Sequence, residues 1–360
     1  MYNSFAIWYD KRESQVSKEL CAELHFNLWQ FSFQSKKSLD CLDIGIKLDK
    51  ITSCSSINLF IPFIIEDKHI HDLGFRITRD IELITGIFNE FSTIGKQSSN
   101  LVKVTLRNQG NKNSIEEPFY IYLINGAEDF KFKYPQEGEA SSTNKVGTIL
   151  SIETKHITIP NDEDLELYLR IRIDLPLKNI EKKILYQHEP KDGKLQSSVK
   201  RNQFIDFRLN EKRNLPPTIY EKCTNNFFKI NKIHFFLMRE FMDDFVMSYP
   251  PYSGCRILEN DIWLKYFKDK PNLKLNNMLA YHWKAKYDNS SHNDGNSFTL
   301  MSKFCFQESS NTKILLFLGI TILIGFLAGI GGNYLTNCLT QLFSGNKNCI
   351  IELTNIPKPK

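Results

Sequence analysis

Apolar and polar positions alternate along much of the first half of the chain, the mark of strands that turn one face toward a core. In CLDIGIKL, Leu42, Ile44, Ile46 and Leu48 share a face. DLELYLRIRIDL is the clearest instance: Leu165, Leu167, Leu169, Ile171, Ile173 and Leu175 alternate with Glu166, Tyr168, Arg170, Arg172 and Asp174. LHFNLWQFSF alternates through Leu24, Phe26 and Leu28, then resumes one residue out of phase at Trp29, Phe31 and Phe33. That phase jump predicts a bulge or a strand that changes sheets. INLFIPFII is apolar throughout, and its Pro62 suits a sheet edge. Further strands are predicted at 101–106, 118–124, 128–133, 147–159, 203–208 and 232–238, with surface loops at 108–116 and 136–145.

Helical spacing is rarer. RDIELITGIFNEF, residues 79–91, sets Ile81, Ile84, Ile87, Phe88 and Phe91 inward. After residue 215 the signal shifts: REFMDDFVMSY, ENDIWLKYF and LNNMLAYHWKAKY read as helical, the second with Trp263 and Phe267 inward. The expected fold class is therefore mainly β with an α+β C-terminal part. An antiparallel β-sandwich or barrel-like domain is expected over 1–175, an α+β domain over 176–306, and a short tether over 307–312.

One run breaks the pattern. From Ile314 to Gly332 nineteen consecutive residues carry no charge, and Thr321 is the polar one among them. Nineteen residues of helix measure about 28 Å, close to the hydrocarbon thickness of a bilayer. No polar face interrupts the run, as it would in the core helix of a soluble domain. Residues 313–335 are thus expected to form a single C-terminal transmembrane helix, followed by a short tail over 336–360. Gly325 and Gly329 form a GxxxG, and Ala328 and Gly332 repeat the small-xxx-small spacing that lets helices approach closely in lipid. Beyond it, NYLTNCLTQLF is an uncharged amphipathic stretch.

Composition adds bounds. With 24% charged and 12% aromatic residues, most of the chain should fold in water, and a net charge of +5 is too mild to mark a nucleic-acid binder. The N-terminal MYNSFAIWYDKRESQ has no basic segment followed by an apolar one, so no secretory leader is read there. Lys303, Lys313 and Lys347 flank the apolar run too evenly to orient it. A bulky domain ahead of a late helix is expected to remain cytoplasmic, anchored at a cell inner membrane by one pass. The eight cysteines show no metal spacing. Six precede the run and read as reduced thiols, whereas Cys338 and Cys349 lie beyond it, where an oxidising compartment would let them pair.

Chemistry-bearing motifs are few. Walker A, GxGxxG, GxSxG, HExxH and kinase signatures are all missing from the sequence, so no cofactor is expected and no catalytic residues are assigned. EDKHIHDLG holds Glu66, Asp67, His69, His71 and Asp72; His69 and His71 at i, i+2 would share a strand face, yet no third ligand follows at a metal spacing. Between Lys178 and Lys232 thirteen Lys or Arg stand against six Asp or Glu. At its centre Lys200, Arg201, Arg208, Lys212 and Arg213 are the candidate anion-binding residues, for a nucleotide, nucleic acid or phospholipid headgroup, with Asp206 and Glu211 as competing salt-bridge partners.

The architecture of a β-rich cytosolic domain joined to a small-residue transmembrane helix resembles the layout of bacterial anti-phage effectors that damage the inner membrane when triggered. The resemblance implies a non-enzymatic sensor–effector, oligomeric through Gly325, Ala328, Gly329 and Gly332, whose body binds a signal or a partner protein. The alternatives are a passive tail-anchored adaptor and a membrane-tethered metal-dependent hydrolase using His69 and His71.

Overall fold

The computed structural model describes residues 2–12, 19–31, 40–49, 51–107, 116–136, 145–157, 166–175, 183–188, 198–224, 226–270, 273, 275, 277–287, 296–309 and 311–343. Among these the fold is mostly β-sheet, in three open sheets. One runs β1 (Ala6–Lys11), β4 (Cys54–Ile61), β10 (Thr148–Glu153), β9 (Phe130–Lys133) and is antiparallel throughout. A second, ten-stranded sheet runs β16 (Gly254–Ile257), β17 (Met278–Lys286), β14 (Lys229–Glu240), β2 (Cys21–Trp29), β3 (Cys41–Leu48), β11 (Glu166–Asp174), β8 (Glu116–Tyr122), β7 (Leu101–Arg107), β6 (Phe91–Ser98), with β5 (Ile70–Asp72) also on β11. Two of its joins are parallel, β14 with β2 and β8 with β11. The third sheet runs β12 (Leu185–His188), β13 (Ser198–Leu209), β18 (Phe298–Ser309), β15 (Asp244–Tyr249).

The ten-stranded sheet is the middle layer, and that explains which sequence patterns mislead. Its inner face contributes Leu24, Phe26, Leu28, Ile44, Ile233, Phe235, Leu237 and Trp283 to one core, shared with Ile7, Leu59 and Leu150 of the first sheet and with Phe207, Leu300 and Phe304 of the third. Its opposite face carries a second core, in which Trp29, Val104, Phe119 and Met278 meet two helices, α1 (Ile81–Phe88) and α3 (Asn260–Tyr266). A smaller third cluster seats α2 (Pro217–Cys223) on the outer face of the first sheet through Leu215, Ile219 and Cys223. Sandwich layering with a β-rich body is as the alternation predicts.

The phase jump at Trp29 is not a change of sheet. β2 keeps unbroken register with β3 from Ala22↔Leu48 to Trp29↔Cys41, and Trp29 is apolar on the opposite face because that face is also a core there. α1 matches its expected helix, capped by Asp80, which accepts from the Glu82 N–H, and closed by Asn89 at φ 56°. Leu83 rather than Ile81 turns inward, and Phe91 already belongs to β6. Two helical readings are overturned: 239–249 is a strand end, a turn and β15, and 275–287 is chiefly β17. ENDIWLKYF is helical as expected, with Trp263 and Phe267 buried.

Strands on either side of residue 175 share the middle sheet, β14 pairing onto β2 and β17 onto β14. The chain divides instead into one unit of Met1–His188 with Asn202–Phe306 and another of Glu189–Arg201 with Gln307–Lys360. In the second unit α4 (Asn311–Phe343) is one helix of 33 residues, long and apolar enough over Ile314–Phe343 to cross a membrane. β18 takes in 307–309, α4 takes in 311 and 312, and 336–343 continue that helix. Residues 344–360, Phe33, and nearly all of the loops expected at 108–116 and 136–145 lie outside the described residues.

Candidate functional site

Strand alternation brings eleven side chains of β2, β14 and β17 to the outer face of the middle sheet: Glu23, His25, Asn27 and Trp29; Lys232, His234, Phe236 and Met238; Ala280, His282 and Lys284. Register aligns them into rows. His25 is opposite His234 across the parallel join, and Phe236 is opposite His282 across the antiparallel one. The end of α1, from Gly86 to Asn89, and the β16 segment from Gly254 to Leu258 wall this floor, enclosing a groove of about 1010 Å³.

Three imidazoles gather on the floor. The His234 and His282 rings lie nearly coplanar and edge to edge, with centroids 5.1 Å apart at 6° and His234 Nδ1 2.9 Å from His282 Nε2. Phe236 stacks on His282 at 4.2 Å and 4°. His25 meets His234 edge-on at 5.2 Å. Glu23 joins them: its Oε1 lies 3.0 Å from His25 Nε2 and 3.5 Å from His234 Nε2, while its Oε2 accepts from Lys232 Nζ at 2.8 Å. Burial opposes the ionisation of Glu23, but hydrogen bonds from His25 and Lys232 outweigh it and hold the carboxyl below the usual range. Burial pushes the imidazoles the other way: His25 titrates below its ordinary value, His234 is lowered to about 3 with the neighbouring His25 contributing, and His282 to about 4 with Lys284 contributing. At neutral pH the floor thus presents three uncharged imidazoles and one carboxylate, the protonation state in which such groups bind cations.

A glycine shapes the wall beside His25. Gly45 on β3 sits opposite both His25 and Arg170, and a Cβ there would stand 2.2 Å from the Tyr168 hydroxyl. Without one, the Tyr168 ring lies across the strand, 5.7 Å from His25 and 4.9 Å from Phe88.

Further along the same sheet face, the polar side of β11 is closed over. Asp43 accepts from Arg172 Nε at 2.7 Å and Nη2 at 3.0 Å, from Trp29 Nε1 at 2.9 Å and from the Tyr266 hydroxyl at 2.7 Å. Arg170 donates to the Tyr266 and Tyr168 hydroxyls at 2.7 and 2.9 Å, and Arg172 stacks on Phe267 at 4.1 Å. Burial resists the charge on Asp43, and Arg172 overrides it, so the carboxyl stays ionised.

The anion-binding, metal-ligating and helix-packing candidates singled out in the sequence are not among the residues that line this groove. Arg208 is held by Asp206, with Nε–Oδ1 at 2.9 Å; Lys212 lies over the Tyr220 ring at 5.8 Å; Arg213 is exposed, 3.6 Å from Glu211. By alternation Arg201 and Arg208 point to opposite faces of β13, and the side chain of Lys200 lies outside the described residues. His69 ends a 3₁₀ turn and accepts from the Glu66 N–H, whereas His71 on β5 contacts Asp174 at 3.0 Å, so the two do not converge. On α4, Gly325, Ala328, Gly329 and Gly332 fall on one face, and nothing lies within 4 Å of the Cβ position of its glycines. Thr321 and Thr336 return their hydroxyls to the carbonyls of Phe317 and Gly332, at 2.8 and 2.7 Å, and Thr340 does the same to Thr336. Helical reading of 275–287 hid His282, and nothing in a single strand announces that 23, 25 and 234 will meet.

No protein-family description matches the chain, and no curated protein does. Solved structures with partial likeness include the mu homology domain of Danio rerio Fcho1 with bound Eps15 peptide, 10% identical over 79% of this chain and 78% of that one, at a TM-score of 0.16. Another is the yeast delta-COP-I mu-homology domain complexed with a Dsl1 WxWxV peptide, 10% identical over 87% of this chain and 79% of that one, at a TM-score of 0.17. Superpositions this poor carry no argument about fold or function.

Proposed function

We propose that this chain is a single-pass, membrane-anchored sensor: its β body takes a ligand or partner into the groove over β2, β14 and β17, and α4 pairs with α4 of other copies. The observation that carries the reading is a polar and aromatic sheet face left open over about 1010 Å³, in a chain that also bears a 33-residue apolar helix. Large concave sites with a few convergent polar groups are where ligands bind. The small-residue face of α4 supports pairing, and its self-satisfied threonine hydroxyls suit a medium without water.

The activity is binding rather than catalysis. Cys255 is the thiol that lines the groove, and burial raises its pKa, the reverse of nucleophile activation. The body faces the cytoplasm in this reading. Cys21, Cys41, Cys54, Cys223, Cys255 and Cys305 carry reduced thiols, as suits a reducing compartment, whereas Cys338 near the far end of α4 is disulfide-bonded. Ligand-driven clustering of helices would then perturb the inner membrane, the behaviour of an anti-phage effector. Of the arginines of β13 and its following turn, Arg208 is paired with Asp206.

The test replaces Gly325 and Gly329 together with Leu. The variant should resist alkaline carbonate extraction like the parent yet lose crosslinked oligomers and any membrane permeabilisation on expression. Oligomers that survive the substitution, or parent protein that washes off the membrane, would sink the reading. If an unrelated transmembrane helix replaces 313–335 with full activity, the chain is a passive anchor for a partner instead.

A further inference from the structure

We infer that Glu23, His25 and His234 form a binding site for a divalent transition-metal ion of the zinc class, with His282 as the positioning residue behind His234. The inference deepens the reading of the groove as a ligand site but does not depend on α4 or on membrane insertion.

The geometry is that of a set of ligands already drawn together. A carboxylate oxygen of Glu23 and one ring nitrogen each of His25 and His234 all lie within 4.8 Å of one another, on two neighbouring strands whose pairing fixes them. A tetrahedral ion with bonds of about 2.0–2.1 Å requires ligand–ligand edges of about 3.3–3.4 Å. Two of the edges here are 3.0 and 3.5 Å and the third is no longer than 4.8 Å, so an ion can be seated by rotating the two imidazoles toward each other. Two histidines and one glutamate form a known catalytic zinc ligand set, and a fourth position would open into the groove for a water or an anionic group of a ligand.

Its surroundings do what the outer shell of a metal site does. If His234 coordinates through Nε2, its proton resides on Nδ1 and is donated to His282 Nε2, 2.9 Å away, which fixes both tautomer and ring orientation. Phe236, stacked on the His282 ring at 4.2 Å, holds that acceptor in place. Lys232 binds the other carboxylate oxygen of Glu23, at 2.8 Å, and so turns Oε1 toward the imidazoles. His25, which donates Nε2–H to Glu23 without metal, would take the Nδ1–H tautomer and present its Nε2 lone pair. The proton changes nitrogen within a neutral ring, so binding requires no redox partner. Lys284 and Arg256 at the margins make the groove locally cationic once a metal is seated, which favours an anionic ligand in the fourth position.

Cobalt(II) is the probe. Full-length protein, stripped with chelator and kept in detergent, is titrated with Co²⁺ and followed by visible absorption and by metal content after desalting. The expected result is about one ion per chain with the intense d–d bands of four-coordinate cobalt, displaced by Zn²⁺. Glu23→Gln and His234→Gln should each abolish the bands, and His282→Phe, which keeps the ring stack, should weaken binding about 10–100-fold. His71→Gln, at the sequence's own histidine pair, should change nothing. Folding of each variant is checked by circular dichroism. Sub-stoichiometric binding by the parent, octahedral-type weak bands, or undiminished binding in a folded His25→Gln/His234→Gln double variant would each overturn the assignment. Failure of this titration leaves membrane insertion and helix pairing untouched, since those are read separately.

Discussion

Two polar stretches share one face of the middle sheet, and they differ in what covers them. Over β3 and β11, α3 and Phe267 close the surface, and each oxygen of Asp43 is engaged by Arg172, Trp29 or Tyr266. Over β2, β14 and β17 the same sheet presents Glu23, His25, His234 and His282 to a groove. Residue types alone do not separate the two: both mix charge with aromatic rings. A charge whose partners come from other strands and a covering helix is there to be buried. The imidazoles of the open stretch face the groove instead.

Substitutions can break that contrast. Asp43→Asn leaves Arg170 and Arg172 without their counter-charge in the interior, and equilibrium urea unfolding should show a loss of about 3–5 kcal/mol. Asp43 holds its proton less tightly when folded than unfolded, so its contribution is present above the ordinary carboxylate range and is lost as pH falls below it. Gly45→Ala drives a methyl into the Tyr168 hydroxyl and should cost about 1–3 kcal/mol, measured the same way, because that ring is wedged between the closed and the open stretch. At the margin of the closed stretch, burial raises the Asp72 carboxyl to about 6 although the N–H groups of Gly74 and Phe75 donate to it. The folded state therefore retains a proton that the unfolded chain gives up, and stability should fall as pH rises from the ordinary carboxylate value to about 6. Asp72→Asn should flatten that slope in melts taken across the window. On the open stretch, Lys284→Ala should move stability by no more than about 0.5 kcal/mol. A large loss there would mean that the groove is architecture after all.

Strand alternation exposed much of this in advance, and its failures are instructive. The apolar faces of β3 and β11 are legible because every second residue is Leu or Ile. The polar face of β11 looks solvated in sequence, yet Arg170 and Arg172 are fully buried; a covering helix nearly a hundred residues away is invisible to a local pattern. LNNMLAYHWKAKY fits helical spacing because Met278, Tyr281 and Ala285 recur at three and four, but the long pairing with β14 overrides that preference. The metal-capable trio was illegible for a related reason. Glu23 and His25 are two residues apart, His234 is remote, and register rather than spacing unites them. Arg208 and Lys212 were conspicuous by charge, and local partners account for both.

The length of α4 has a physical consequence of its own. Thirty-three helical residues measure about 50 Å, against a hydrocarbon slab of about 30 Å. The uncharged Ile314–Gly332 stretch, about 28 Å, would fill such a slab by itself, and the more polar Asn333–Phe343 turns would carry the same helix on among the headgroups. A rigid rod that continues past the lipid would transmit a tilt or rotation from one side of a bilayer to the other without a joint.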